Sequence, residues 1–217
     1  MQKDVTLKIR ATYETLGELT EKTEVIWVVY HGFGQLAKYF IKRFDILDLE
    51  KCYVIAPQGL SKFYMDRFSK VGASWLTRES KEIDLENQLN YVQAVFEQET
   101  QGVNWSKVKL NIMGFSQGTA TSSRWIAKFK VPFDKFIFFA GTIAHDVSKA
   151  DLDFMKPNAK VYMIVGDKDE FITTERIEKG TAAITNQMKA PNVIVFDGVH
   201  KVDRAALKQA IKSEYLK

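Results

Sequence analysis

Val108-Lys109-Leu110-Asn111-Ile112-Met113 runs directly into Gly114-Phe115-Ser116-Gln117-Gly118, and Thr119-Ala120-Thr121-Ser122-Ser123 follows. The first run reads as a buried strand and the last as a helix of small residues packed close to its neighbours. Between them the chain must turn sharply, and glycine on either side removes the side chains that would obstruct so tight a turn. A serine hydroxyl is a poor nucleophile unless geometry and a base activate it. A strand-to-helix elbow supplies the geometry by lifting Ser116 clear of the sheet edge.

Outward from this stretch, further short apolar runs occupy 25–30, 52–56, 136–140, 161–165 and 193–196. Most are continuous rather than alternating, which suits strands of a parallel sheet buried on both faces. Segments of helical period lie between them. They are marked by Leu36, Phe40 and Phe44; by Leu85, Leu89, Val92 and Phe96; by Ile177, Thr181, Ile184 and Met188; and by Ala206, Leu207, Ala210 and Ile211. The helix after the elbow runs from Gln117 to about Lys128. Repeated strand–helix alternation predicts a three-layer α/β architecture with right-handed crossovers. At the N-terminus Val5, Leu7 and Ile9 alternate with polar neighbours and Gly17 follows, which predicts an antiparallel hairpin at one edge of the sheet. Between 57 and 83 neither period is clear. That stretch, rich in aromatic residues, reads as a long binding loop or lid, or as a loop folded onto the core.

The 217 residues suffice for one substantial core, and residues 1–217 are expected to form a single domain. The 31 basic and 27 acidic residues are spread along the chain without a basic stripe, which argues against a nucleic-acid partner. No apolar stretch approaches the ~20 residues of a membrane span, and no leader pattern opens the chain, so no stable membrane insertion and a cytoplasmic location are expected. The single cysteine, Cys52, reads as a buried structural thiol. No histidine pair has ligand spacing and one cysteine cannot build a thiolate site, so neither a metal nor another cofactor is expected.

A nucleophilic serine needs a base, and the base needs an orienting carboxylate. Only His145 and His200 lie downstream of Ser116. His200 follows the last strand, at the sheet edge that carries the elbow, and is favoured; His145 reads as a polar loop or pocket-wall residue. The acid is sought in Gly166-Asp167-Lys168-Asp169-Glu170. Spacing favours Asp169 over Asp167 without deciding between them. Oxyanion donors are expected from the backbone N–H of Gln117 and from that of Phe33, within the loop His31-Gly32-Phe33-Gly34. His31 reads as a brace for that loop.

These motifs together resemble the phospholipase/carboxylesterase family of α/β-hydrolases, which includes acyl-protein thioesterases. The resemblance rests on His31–Gly34, Gly114–Gly118, Gly166–Asp169 and Gly198-Val199-His200, within a span of about 25–208. It implies an α/β-hydrolase fold without a large helical cap and a triad of Ser116, Asp169 and His200. The family's G-D-x-D pattern uses its second aspartate, which assigns Asp169. Its oxyanion donors map to Phe33 and Gln117, and a tryptophan near the acyl pocket maps to Trp75. Gln35 and Thr119 stand where many members carry Asp and Gly, and these departures touch substrate choice more than the triad. Leu60, Phe63 and Tyr64 join Trp75 as candidate pocket residues. The expected activity is hydrolysis of a small-molecule ester, or a thioester, through an acyl-enzyme. The alternatives are a lipase or peptidase on the same core, or a catalytically silent binding module.

Overall fold

Six apolar runs become six adjacent parallel strands, five of them buried on both faces and the last, at the sheet's edge, left half-exposed. In a computed structural model that describes residues 3–217, the strands are β1 (Tyr13–Leu16), β2 (Val25–Tyr30), β3 (Cys52–Pro57), β4 (Ser61–Met65), β5 (Lys70–Ser74), β6 (Lys109–Phe115), β7 (Lys135–Phe139), β8 (Lys160–Gly166) and β9 (Asn192–Phe196). The helices are α1 (Ala37–Phe40, continued by a 3-10 turn to Phe44), α2 (Lys81–Glu99), α3 (Gln117–Phe129), α4 (Thr174–Gln187) and α5 (Arg204–Ala210). The main sheet has the order β1-β3-β2-β6-β7-β8-β9, parallel throughout except for β1.

Alternate residues of β2 show how the layers form. Ile26, Val28 and Tyr30 enter a core with Leu89 and Val92 of α2, Trp125 and Ile126 of α3, and Ile184 of α4. Val25, Trp27 and Val29 enter the opposite core with Ala37 and Phe40 of α1 and Ala206, Leu207 and Ala210 of α5. Each large apolar side chain buried in this way stabilises the fold by about 1.5–3 kcal/mol relative to exposure. The helix starts are locally encoded as well. Asp203 accepts the Ala206 N–H at 2.8 Å and Thr173 accepts that of Arg176, which satisfies first-turn donors of α5 and α4. No helix among the described residues is long and apolar enough to cross a membrane.

Two expectations need correction. The N-terminal edge is one strand, not a hairpin: β1 pairs antiparallel with β3, while residues 5–9 form no strand and leave Val5, Leu7 and Ile9 exposed. Their alternation has no sheet to answer to. Conversely, the stretch read as irregular carries a hairpin, β4 paired with β5. Phe63 and Met65 of β4 turn inward while Lys62 and Tyr64 turn out, the period expected of a half-buried strand. The connecting turn holds Asp66, Arg67 and Phe68 at positive φ (46°, 53° and 69°) without a glycine or asparagine. The hairpin docks on the loop after β2, where Gly34 N–H donates to Ala73 O at 2.8 Å.

Candidate active site

Ser116 stands between the end of β6 and the start of α3 with φ 51° and ψ −118°, a backbone conformation that a non-glycine residue adopts only under local constraint. Such strain costs of order 1–3 kcal/mol and persists only where the surroundings enforce it. Here Ser116 N–H donates to Phe139 O of β7 at 2.9 Å, and Ser116 O accepts from Thr119 through N–H at 3.0 Å and Oγ1 at 2.7 Å. The turn closes because two neighbours lack side chains. A Cβ on Gly114 would lie 2.4 Å from Thr119 Cα, and one on Gly118 would lie 2.4 Å from Tyr30 O and 2.6 Å from His31 O. These obstacles are backbone atoms, so a methyl group cannot be accommodated by a rotamer change. Alanine normally favours a helix over glycine by about 1 kcal/mol. We expect the opposite at Gly118, where Gly118→Ala should cost about 3 kcal/mol or more. A lowered urea midpoint checks this, and an unchanged one contradicts the close approach.

The loops after β6, β8 and β9 leave the same edge of the sheet, and they bring Ser116, Asp169 and His200 together. His200 Nε2 lies 3.0 Å from Ser116 Oγ, and Nδ1 lies 2.6 Å from Asp169 Oδ2. The Asp169 side chain is wholly buried, and its Oδ1 accepts the N–H groups of Phe171 (2.8 Å) and Ile172 (3.2 Å). Asp167 is exposed and instead accepts Gly198 N–H at 3.0 Å, bracing the loops after β8 and β9 against each other. His145 is exposed. The His200 ring is flanked by Phe115 and Phe171, each with its centroid 5.0 Å away.

The loop His31–Gly34 approaches the elbow closely, with Gly32 against the Phe115 ring and Ser116 Cβ. Among the described residues the Phe33 N–H makes no hydrogen bond, and Gln117, the first residue of α3, has no intrahelical acceptor for its own. His31 is fully buried. Its Nε2 accepts Gly59 N–H at 2.9 Å, so Nδ1 carries the proton donated to Gly32 O at 2.8 Å, and the ring stacks on Trp75 at 4.7 Å. Burial lowers its pKa from the ordinary 6.5 to about 4, against the smaller raising effect of the Gly32 carbonyl. His31 is therefore neutral at neutral pH. As pH falls through 6.5 the unfolded chain binds a proton that the folded chain refuses until about pH 4. Stability should fall across that window by about 3 kcal/mol. Urea midpoints between pH 4 and 8 check the loss, and His31→Gln should flatten it.

The four candidate pocket residues part company. Phe63 stacks on the half-exposed Phe33 at 5.2 Å and so borders the loop. Tyr64 points to solvent and meets Phe68. Leu60 lines a cleft of 820 Å³ beneath the N-terminal segment that contains none of Ser116, Asp169 and His200. Trp75 has no exposed surface. It lies under the His31 loop and donates its indole N–H to His31 O at 2.8 Å, so it supports that loop rather than lining an open pocket. The side chain of Gln117 has a part here that the sequence pattern does not carry. Its Oε1 accepts Trp75 N–H at 3.0 Å and its Nε2 donates to Leu76 O at 2.9 Å, which ties the hairpin's exit strand to the elbow. Gln35 Oε1 likewise accepts Gly32 N–H at 2.9 Å. Phe171, two residues beyond Asp169, carried no sequence signal beyond that proximity.

A mostly parallel sheet flanked by helices, with a serine elbow at its carboxyl edge, defines an α/β-hydrolase. The chain matches the model of the serine hydrolase (FSH1) family over residues 27–210, so it belongs to that family and is an enzyme. No curated protein matches it in sequence. Among solved structures it is similar to Zea mays acyl-protein thioesterase 2, with TM-score 0.69 and 14% identity over 92% of this chain and 96% of that one. It is also similar to esterase PE8, with TM-score 0.64 and 17% identity over 94% and 100%. A phospholipase/carboxylesterase from Dyadobacter fermentans DSM 18053 gives TM-score 0.63 and 18% identity over 94% and 96%. At these identities the structural likeness speaks to the fold, and the resemblance read from the motifs is borne out.

Proposed function

We propose that residues 1–217 act as one hydrolase domain that cleaves carboxylic esters, and thioesters as a second class, through an acyl-enzyme on Ser116. The observation that carries this reading is the unbroken hydrogen-bonded chain from Ser116 Oγ through His200 to the buried Asp169, with contacts of 3.0 and 2.6 Å. His200 Nε2 takes the proton as Ser116 Oγ attacks the acyl carbonyl carbon. The N–H groups of Phe33 and Gln117 receive the developing oxyanion, each worth roughly 3 kcal/mol in the transition state. The intermediate collapses, His200 protonates the departing alcohol or thiol, and a water activated by the same nitrogen releases the acid. Asp169 holds the Nδ1–H tautomer and stabilises the imidazolium that forms.

Rapid mixing with 4-nitrophenyl acetate tests this. A burst of 4-nitrophenolate equal to the enzyme concentration, with acetyl on Ser116 after digestion, is expected. A panel of short esters, long-chain esters, thioesters and peptide amides then separates esterase from lipase and peptidase. Failure to turn over any member of the panel would overturn the reading in favour of a silent binding module.

A further inference from the structure

A cleft of 610 Å³ runs between α1 and the β4–β5 hairpin; none of Ser116, Asp169 and His200 lines it, but residues next to Phe33 and His200 in the chain do. One wall, Gly34 and Gln35, continues directly from Phe33, and another, Lys201 and Val202, follows directly from His200. Its buried floor residue Phe40 stacks on Phe115, the residue before Ser116, with centroids 6.3 Å apart. Four cations line it (Lys38, Arg43, Lys70 and Lys201) and no carboxylate does. That is unusual in a chain with 31 basic and 27 acidic residues. Nearby acids are already engaged: Asp66 pairs with Lys70 at 2.8 Å and Asp45 with Arg204 at 2.7 Å. Lys38, Arg43 and Lys201 pair with no carboxylate among the described residues. Apolar side chains of Phe40, Met65, Val71 and Val202 line the cleft beside the polar Gln35 and Ser69.

We propose that this cleft is a substrate subsite for an anion, and that the enzyme prefers esters bearing a carboxylate or phosphate a short apolar arm away from the scissile carbonyl. The three cations without a carboxylate partner, exposed at the rim of a partly apolar concavity, raise the local concentration of such a group, and the guanidinium of Arg43 can clasp a carboxylate or phosphate through two N–H donors. The volume is that of a small-ligand site. The inference rests on the ester-hydrolase reading above and adds to it the charge of the substrate.

Matched ester pairs test it. 4-Nitrophenyl hydrogen glutarate against 4-nitrophenyl butyrate places the anion on the acyl side. Butyryl glycerol phosphate against butyryl glycerol places it on the alcohol side. The expected result is a kcat/KM ratio of about tenfold or more for the anionic member of one pair, shrinking toward unity in about 0.5 M salt. The double variant Lys38→Gln, Arg43→Gln should bring that ratio near unity; general damage would lower both members and leave it unchanged. Ratios near unity in both pairs, or a ratio that survives the double variant, overturn the subsite. Competition binding of the same pairs to Ser116→Ala reads the subsite without chemistry. A tenfold binding preference lost in the added double variant supports it, and equal binding overturns it, even if no ester is turned over and the hydrolase reading itself fails.

Discussion

Ser116→Ala should lower kcat/KM for 4-nitrophenyl acetate by about 10⁴–10⁶-fold while the urea midpoint stays close to that of the parent. The loss is large because Oγ is the atom that would bond to the acyl carbon, and among the described residues no other hydroxyl lies within hydrogen-bond distance of His200 Nε2. His200→Ala should cause a loss of similar size, and the double variant should lose little more, since two parts of one proton-transfer unit cannot be removed twice. The backbone should tolerate alanine at 116. The strained φ of 51° is enforced by hydrogen bonds through Ser116 N–H and C=O rather than through Oγ. Steady-state rates with the three variants check the pattern, and additive losses would separate Ser116 from His200.

Asp169→Asn should cost about 10⁴-fold in kcat with little change in stability, for a reason particular to this site. Oδ1 already accepts two backbone N–H groups, from Phe171 and Ile172. An asparagine must therefore keep its oxygen there and turn its NH₂ toward His200 Nδ1. That nitrogen would then be an acceptor, and the proton would move to Nε2, where it cannot receive the one on Ser116. The activity lost should recover partly at alkaline pH, where hydroxide replaces general-base assistance. A pH–rate profile of Asp169→Asn checks this. A kcat within tenfold of the parent would show that Asp169 does not set the tautomer.

The parallel sheet was legible because strands buried on both faces, such as Val25–Tyr30 and Lys135–Phe139, have no polar residue to interrupt the run except at an end. The elbow was legible because its turn has a steric requirement that only small residues meet. The β4–β5 hairpin was hidden for the opposite reason. Its turn uses Asp66, Arg67 and Phe68 at positive φ, where sequence reading looks for glycine. Residues 5–9 show the converse error, since alternation alone cannot reveal whether a partner strand exists. Asp169 and Asp167 could not be separated by spacing because both follow β8. Their different fates depend on burial and on Gly198, a residue 31 positions from Asp167. The bracing contacts of Trp75 and of the Gln117 side chain were not legible because both act across the gap between the hairpin and the elbow. No local pattern records that contact.

If His200 takes the Ser116 proton, Ser116 must react as an activated nucleophile. Treatment with a fluorophosphonate probe, followed by digestion and mass spectrometry, tests it most directly. Stoichiometric phosphonylation confined to Ser116, and abolished by His200→Ala, is expected. An unmodified Ser116, or labelling that persists without His200, would contradict it.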